Sequence, residues 1–145
     1  GWLFERIRQR FGTDLRGFSV GLWGLAFKPG TDDLREAPSL DFIDSLLRAG
    51  ARVQAFDPVA GPMARQVMPP GWFRDGRLML CDSAGEACEG VDALALVTEW
   101  SDFRDPDPGQ LRRSMRQPVV LDGRNLFDAA RLREAGFEYH GVGRA

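Results

Sequence analysis

Residues 18–58 read FSVGLWGLAFKPGTDDLREAPSLDFIDSLLRAGARVQAFDP, and this stretch decides the fold. It opens on a continuous apolar run, Phe18 to Trp23, as expected of a strand covered on both faces. A loop with glycines at both ends follows, Gly24 to Gly30. Leu40, Ile43, Leu46 and Leu47 then recur at helical spacing. Pro38 suits the first helical turn and Gly50 the position just past the end. Arg52 to Phe56 is a second apolar run, closed by Asp57-Pro58. Strand, helix and strand in this order imply a right-handed crossover and a parallel pair.

The same rhythm continues outward. Leu78 to Cys81, Ala93 to Thr98 and Val119 to Asp122 read as further strands, and Glu138 to Val142 as a weaker sixth. Helices are predicted over Gly61–Met68, Asp82–Cys88, Pro108–Met115 and Asp128–Ala135. Pro69-Pro70-Gly71 and residues 104–108 have loop composition. The prediction is an α/β fold, Rossmann-like and three-layered, with a parallel sheet of five or six strands behind a short N-terminal helix. In that helix Leu3, Phe4, Ile7 and Phe11 share one face and Gly12 stops it. A helix this short is marginal alone. It reads as the tail of a longer helix, with its apolar face left as the main exposed hydrophobic surface.

Composition narrows the function. The chain has 145 residues, net charge −2 and a pI near 5.4, which suits one domain and argues against a general binder of nucleic-acid backbones. No apolar run of ~18 residues predicts a membrane span. Two cysteines, Cys81 and Cys88, make no disulfide framework and have no metal-ligand spacing, so a reduced, cytoplasmic setting and structural thiols are expected. Of 19 basic residues, 18 are Arg and one is Lys, Lys28. Lysine is a compact point charge suited to a phosphate in a tight loop.

In an open parallel sheet, ligands bind outside the carboxyl ends of the strands. The loop after the first strand carries Phe27, Lys28 and Arg35. It matches neither the dinucleotide fingerprint nor the Walker A pattern. It reads either as an anion-holding loop or as a plain crossover in which Arg35 pairs with Asp32 or Asp33. Asp57 stands where a ribose-binding acid would stand, although an Asp-Pro turn is the simpler reading. Asp122-Gly123-Arg124-Asn125 brings an arginine to the same edge. Nothing places His140 beside a cysteine, and the sequence offers a binding edge without a catalytic centre.

These residues together carry a resemblance. Residues 24–39, GLAFKPGTDDLREAPS, are similar to the segment that opens the C-terminal domain of the UDP-glucose/GDP-mannose dehydrogenase family. Phe56-Asp57-Pro58-Val59-Ala60, Val97-Thr98-Glu99-Trp100 with Phe103, residues 122–128 (DGRNLFD) and residues 136–144 (GFEYHGVGR) agree in order along the chain. Gly30 departs from the asparagine common in relatives, and a backbone turn tolerates it. The Thr-Glu-Trp and Asp-Gly-Arg-Asn pieces most resemble the UDP-glucose 6-dehydrogenases. GDP-mannose and UDP-N-acetylmannosamine dehydrogenases are the alternatives within the family, and a stand-alone nucleotide-binding module the alternative outside it.

The resemblance implies an NAD-dependent oxidation of UDP-glucose to UDP-glucuronate in two hydride transfers, with a cysteine nucleophile from a Gly-Gly-Ser-Cys-Phe-Pro stretch. No such stretch occurs here, so no catalytic residue is expected in this chain. It further implies that residues 1–12 end an inter-domain central helix through which relatives dimerise. Residues 13–145 would form the nucleotide-sugar-binding domain, with NAD held mainly by domains absent from the chain. Phe27, Lys28 and Arg124 are the implied UDP-sugar contacts, and Arg35 the implied contact to NAD.

Overall fold

The structure, a computed structural model, describes residues 1–143. Arg144, the last residue of the closing motif, and the end of the 13–145 range lie outside the described residues. Six strands form one parallel sheet: β1 (Ser19–Trp23), β2 (Arg52–Phe56), β3 (Leu78–Leu80), β4 (Ala93–Leu96), β5 (Val119–Asp122) and β6 (Glu138–Gly141). Their order is β3-β2-β1-β4-β5-β6, with Val20 of β1 in register between Val53 and Ala93. The order reverses between β1 and β4, which is the switch point of a doubly wound sheet.

Handedness assigns the layers. Steps outward through β1, β2 and β3 put α2 (Pro38–Arg48) and α3 (Gly61–Val67) on one face. Steps the other way through β4, β5 and β6 put α4 (Pro108–Ser114) and α5 (Ala129–Glu134) on the opposite face. The core divides accordingly. Val20, Leu22, Val53 and Ala55 pack with Ile43, Leu46, Leu47 and Ala64 on the first side. Leu94, Leu96, Val120 and Tyr139 pack with Leu111, Met115 and Leu132 on the second. Burial of each large α2 side chain contributes about 1.5–3 kcal/mol. The helix starts follow local chemistry: Asp107 and Asp128 accept backbone N–H bonds at the heads of α4 and α5.

The reversal leaves the α2 side of β4, β5 and β6 without a crossover helix. α1 (Trp2–Phe11) fills that place. Ile7 is 0% exposed and belongs to one cluster with Val97, Val119 and Leu121, while Leu3, Phe4 and Phe11 pack partly buried against it. Arg10 Nε donates to both oxygens of Glu138 on β6, at 2.9 and 3.1 Å. The expectation that this face would be the main exposed hydrophobic surface is therefore corrected. The large apolar side chains that do stand out are Phe27, Val59, Val67, Met79 and Val142.

Two further readings change. The helix expected over Asp82–Cys88 is only a 3-10 turn, Glu86–Cys88, lying against β1. Gly21 makes that approach possible, because a Cβ there would sit 2.5 Å from the Ala87 carbonyl oxygen. Pro70 opens a 3-10 run to Gly76 that breaks at Arg74 and Asp75 instead of forming a plain loop.

Candidate functional site

The carboxyl edge of the sheet gathers the loops after β1, β2, β4 and β5. Their roots are fixed by backbone bonding. Leu25 and Ala26 N–H donate to Asp57 Oδ2 at 2.8 and 3.2 Å. The Leu25 carbonyl accepts from Ser39 Oγ, and the Ala26 carbonyl from Thr98 Oγ1, each at 2.6 Å. Gly24 N–H donates to Phe56 O. Gly24 adopts φ +98°, and a Cβ there would fall 2.5 Å from Thr98 Cβ. Only glycine allows both the turn and the contact. Both peptide groups of Leu25 and Ala26 and the Gly24 N–H are thus bonded, which ties down the root of the loop.

Phe27 and Lys28 follow that root. Phe27 is 55% exposed, and Lys28 is exposed, with no carboxylate of the described residues within 4.0 Å of its ammonium. Lys28, Thr31, Asp33 and Arg35 line one small hollow with Phe27. Arg35 is exposed and pairs with Asp33 at 2.9 Å, as the crossover reading required. The Arg35 side-chain bond, helped by its backbone N–H, lowers the Asp33 carboxyl to about 2.

Arg124 lines a different hollow, with Leu3, Phe4, Phe42, Val97 and Gly123. Its backbone N–H donates to Asp122 Oδ1 at 3.1 Å. The other Asp122 oxygen accepts from Phe127 N–H and Tyr139 O–H, each at 2.8 Å. The guanidinium donates to both oxygens of Glu99, through Nε and through Nη2 at 2.9 Å. That bond holds the Glu99 carboxyl below its ordinary value. Asn125 takes φ +53° and donates from Nδ2 to Val142 O. The edge therefore carries Lys28 with Arg35 in one hollow and Arg124 in another.

Beneath the edge, Trp23, Phe56, Phe103 and Phe127 form an aromatic cluster, with Trp23 stacked on Phe103 at 5.0 Å. Three of these come from the motif stretches after β2, β4 and β5. Their mutual ring contacts brace the roots of the loops.

Asp57 settles what the β1–β2 half can hold. It is 6% exposed, and its second oxygen accepts from Val59 and Ala60 N–H at 2.9 and 2.8 Å. With four backbone donors on its carboxylate it has no capacity left for a ribose diol. Gly21 and Gly24 serve chain packing. Among the described residues, the β1–β2 half thus spends its acid and these glycines on its own backbone. Cys81 and Cys88 are buried, and burial first of all raises both thiols to about 12, so neither is an activated nucleophile. Among the described residues no acidic, histidine or cysteine group could hold a metal, and no helix is long and apolar enough to cross a membrane.

The fold and edge define an α/β domain of the nucleotide-binding kind, with a doubly wound sheet and, at its switch-point edge, two hollows in which cations stand beside carboxylates. Residues 21–129 match the model of the UDP-glucose/GDP-mannose dehydrogenase family, UDP binding domain, and the chain belongs to that family. It is 55% identical over 144 residues to a UDP-glucose 6-dehydrogenase of Pseudomonas aeruginosa, covering 98% of this chain and 31% of that protein. It is 35% identical over 130 residues to the UDP-glucose 6-dehydrogenase TuaD of Bacillus subtilis, covering 90% and 27%. A solved UDP-glucose dehydrogenase from Pyrobaculum islandicum superposes with TM-score 0.75 at 33% identity, covering 97% of this chain and 28% of that one. An NDP-N-acetyl-D-galactosaminuronic acid dehydrogenase from Methanosarcina mazei gives TM-score 0.77 at 28% identity, covering 98% and 28%. The chain spans less than a third of the length of these relatives.

Proposed function

We propose that this chain is the nucleotide-sugar-binding domain of an NAD-dependent UDP-glucose 6-dehydrogenase, acting on UDP-glucose to give UDP-glucuronate. The observation that carries the reading is the collinear 55% identity to the Pseudomonas aeruginosa enzyme, which spans 98% of the chain and includes the edge loops. In this reading Lys28 meets the diphosphate, Phe27 packs on the ligand and Arg124 donates to it. Arg35 points toward NAD held mainly by residues outside this chain, and those other parts of the enzyme are the domain's partners. α1 ends the helix through which two subunits associate. NAD supplies the hydride acceptor, and this chain's part is to bind and orient the nucleotide sugar.

Titration of the purified chain with UDP, UDP-glucose and GDP-mannose, followed by calorimetry and amide shifts, tests the reading. A diphosphate meeting Lys28 gains charge-assisted bonds of about 1.5–3 kcal/mol. UDP and UDP-glucose should bind weakly, on the order of millimolar, and more tightly than GDP-mannose. Lys28→Ala should remove the binding. Lys28→Arg should weaken it, because a planar fork does not replace a point charge in a glycine turn. Unchanged affinity in Lys28→Ala would make the loop a structural crossover only.

A further inference from the structure

The Thr98-Glu99-Trp100 stretch follows β4, between the two loops that carry the candidate cations. Thr98 is fully buried and holds the β1 loop through the Ala26 carbonyl. Glu99, the next residue, reaches the other way, to the β5 loop and Arg124. We propose that Glu99 is a positioning residue of the nucleotide-sugar site: it grips Arg124 side-on, so that the ligand meets only the outer edge of an already aligned guanidinium. The proposal rests on the reading that Arg124 faces the nucleotide sugar.

The donor geometry supports it. A guanidinium presents five N–H groups in a planar fork. Glu99 takes Nε–H and one N–H of Nη2, the inner edge of the fork. Both N–H groups of Nη1 and the second of Nη2 remain on the outer edge, and among the described residues Nη1 has no partner. Asp122 fixes the arginine at its backbone while Glu99 fixes it at its tip. A long side chain held at both ends loses little further freedom when a ligand arrives. The pair is also neutral as a whole, with side chains 43% and 36% exposed. Arg124 then contributes directed hydrogen bonds, and Lys28 contributes the net charge.

The test is a double-mutant cycle of UDP-glucose affinity in the purified chain, with Arg124→Ala, Glu99→Gln and the double variant. Arg124→Ala should weaken binding about tenfold and Glu99→Gln about fivefold, while Glu99→Gln should change affinity less than about twofold once Arg124 is gone. Glu99→Gln should also steepen the salt dependence of binding, because it leaves an uncompensated cation facing an anion. Without ligand, the Arg124 Nε–H resonance should be sharp and slowly exchanging in the parent chain and broadened in Glu99→Gln. A Glu99→Gln loss that persists undiminished beside Arg124→Ala overturns the role, since Glu99 then acts by another route. So does unchanged affinity in Glu99→Gln when Arg124→Ala and Lys28→Ala both weaken binding, and that result leaves the site reading intact. Unchanged affinity in Arg124→Ala removes Arg124 from the site and the role of Glu99 with it.

Discussion

Asp57 shows how one side chain can occupy a functional position and do structural work. It stands at the end of β2, where dinucleotide folds place an acid, and its four acceptor bonds instead tie the β1 loop to the turn that opens α3. Asp57→Asn replaces one acceptor oxygen with an amide that faces two N–H donors. It should cost about 2–4 kcal/mol in urea denaturation and speed amide exchange at Leu25 and Ala26 or at Val59 and Ala60. A stability loss near zero would show that the clamp is unimportant. Asp33 gives a pH signature. Its folded value is lowered from 3.8 to about 2 by Arg35, so the pair's contribution is complete above 3.8 and is lost as pH falls through about 2. A carboxyl carbon titration should therefore find Asp33 ionised between those values, with its midpoint rising toward 3.8 in Arg35→Ala. Both groups are exposed, so global stability should hardly follow it. An ordinary midpoint in the parent chain would mean that the pair does not persist in solution.

At the scale of elements, α1 is the most informative. Its periodicity and its glycine stop were legible in the sequence, and its partner was not. Handedness explains the difference. Crossover helices must cover one face of β1–β3 and the opposite face of β4–β6, and the vacant half-face is visible only when the sheet is assembled. Ile7 fills that place with complete burial. Ile7→Ala should cost about 2–5 kcal/mol by denaturation, whereas Arg10→Ala, which breaks a half-exposed pair, should cost no more than about 1 kcal/mol. An Ile7→Ala cost near zero would return α1 to the status of an appended helix. The 3-10 turn Glu86–Cys88 teaches the same lesson. Its apolar residues suit a helix, and the closeness of β1 at Gly21 leaves space for only a turn.

For the whole molecule, the arrangement predicts binding without turnover. Purified chain supplied with NAD and UDP-glucose should form no NADH, because both thiols are buried and raised and the acid after β2 is spent on the backbone. NADH formation at any rate above a heat-denatured control would overturn that. The sequence by itself determined the α/β class, the strands, the sheet edge that carries the candidate loops and the segments that hold Phe27, Lys28, Arg35 and Arg124, because apolar runs, helical spacing and turn residues are local signals. Only the tertiary structure decided what each polar group spends its bonds on. Asp57, Thr98, Asp122 and Glu99 each bond at least one partner 17 to 72 residues away, as in Thr98 to Ala26 and Tyr139 to Asp122. A donor and an acceptor that far apart in the chain meet only when the parallel sheet brings the strand ends to one edge.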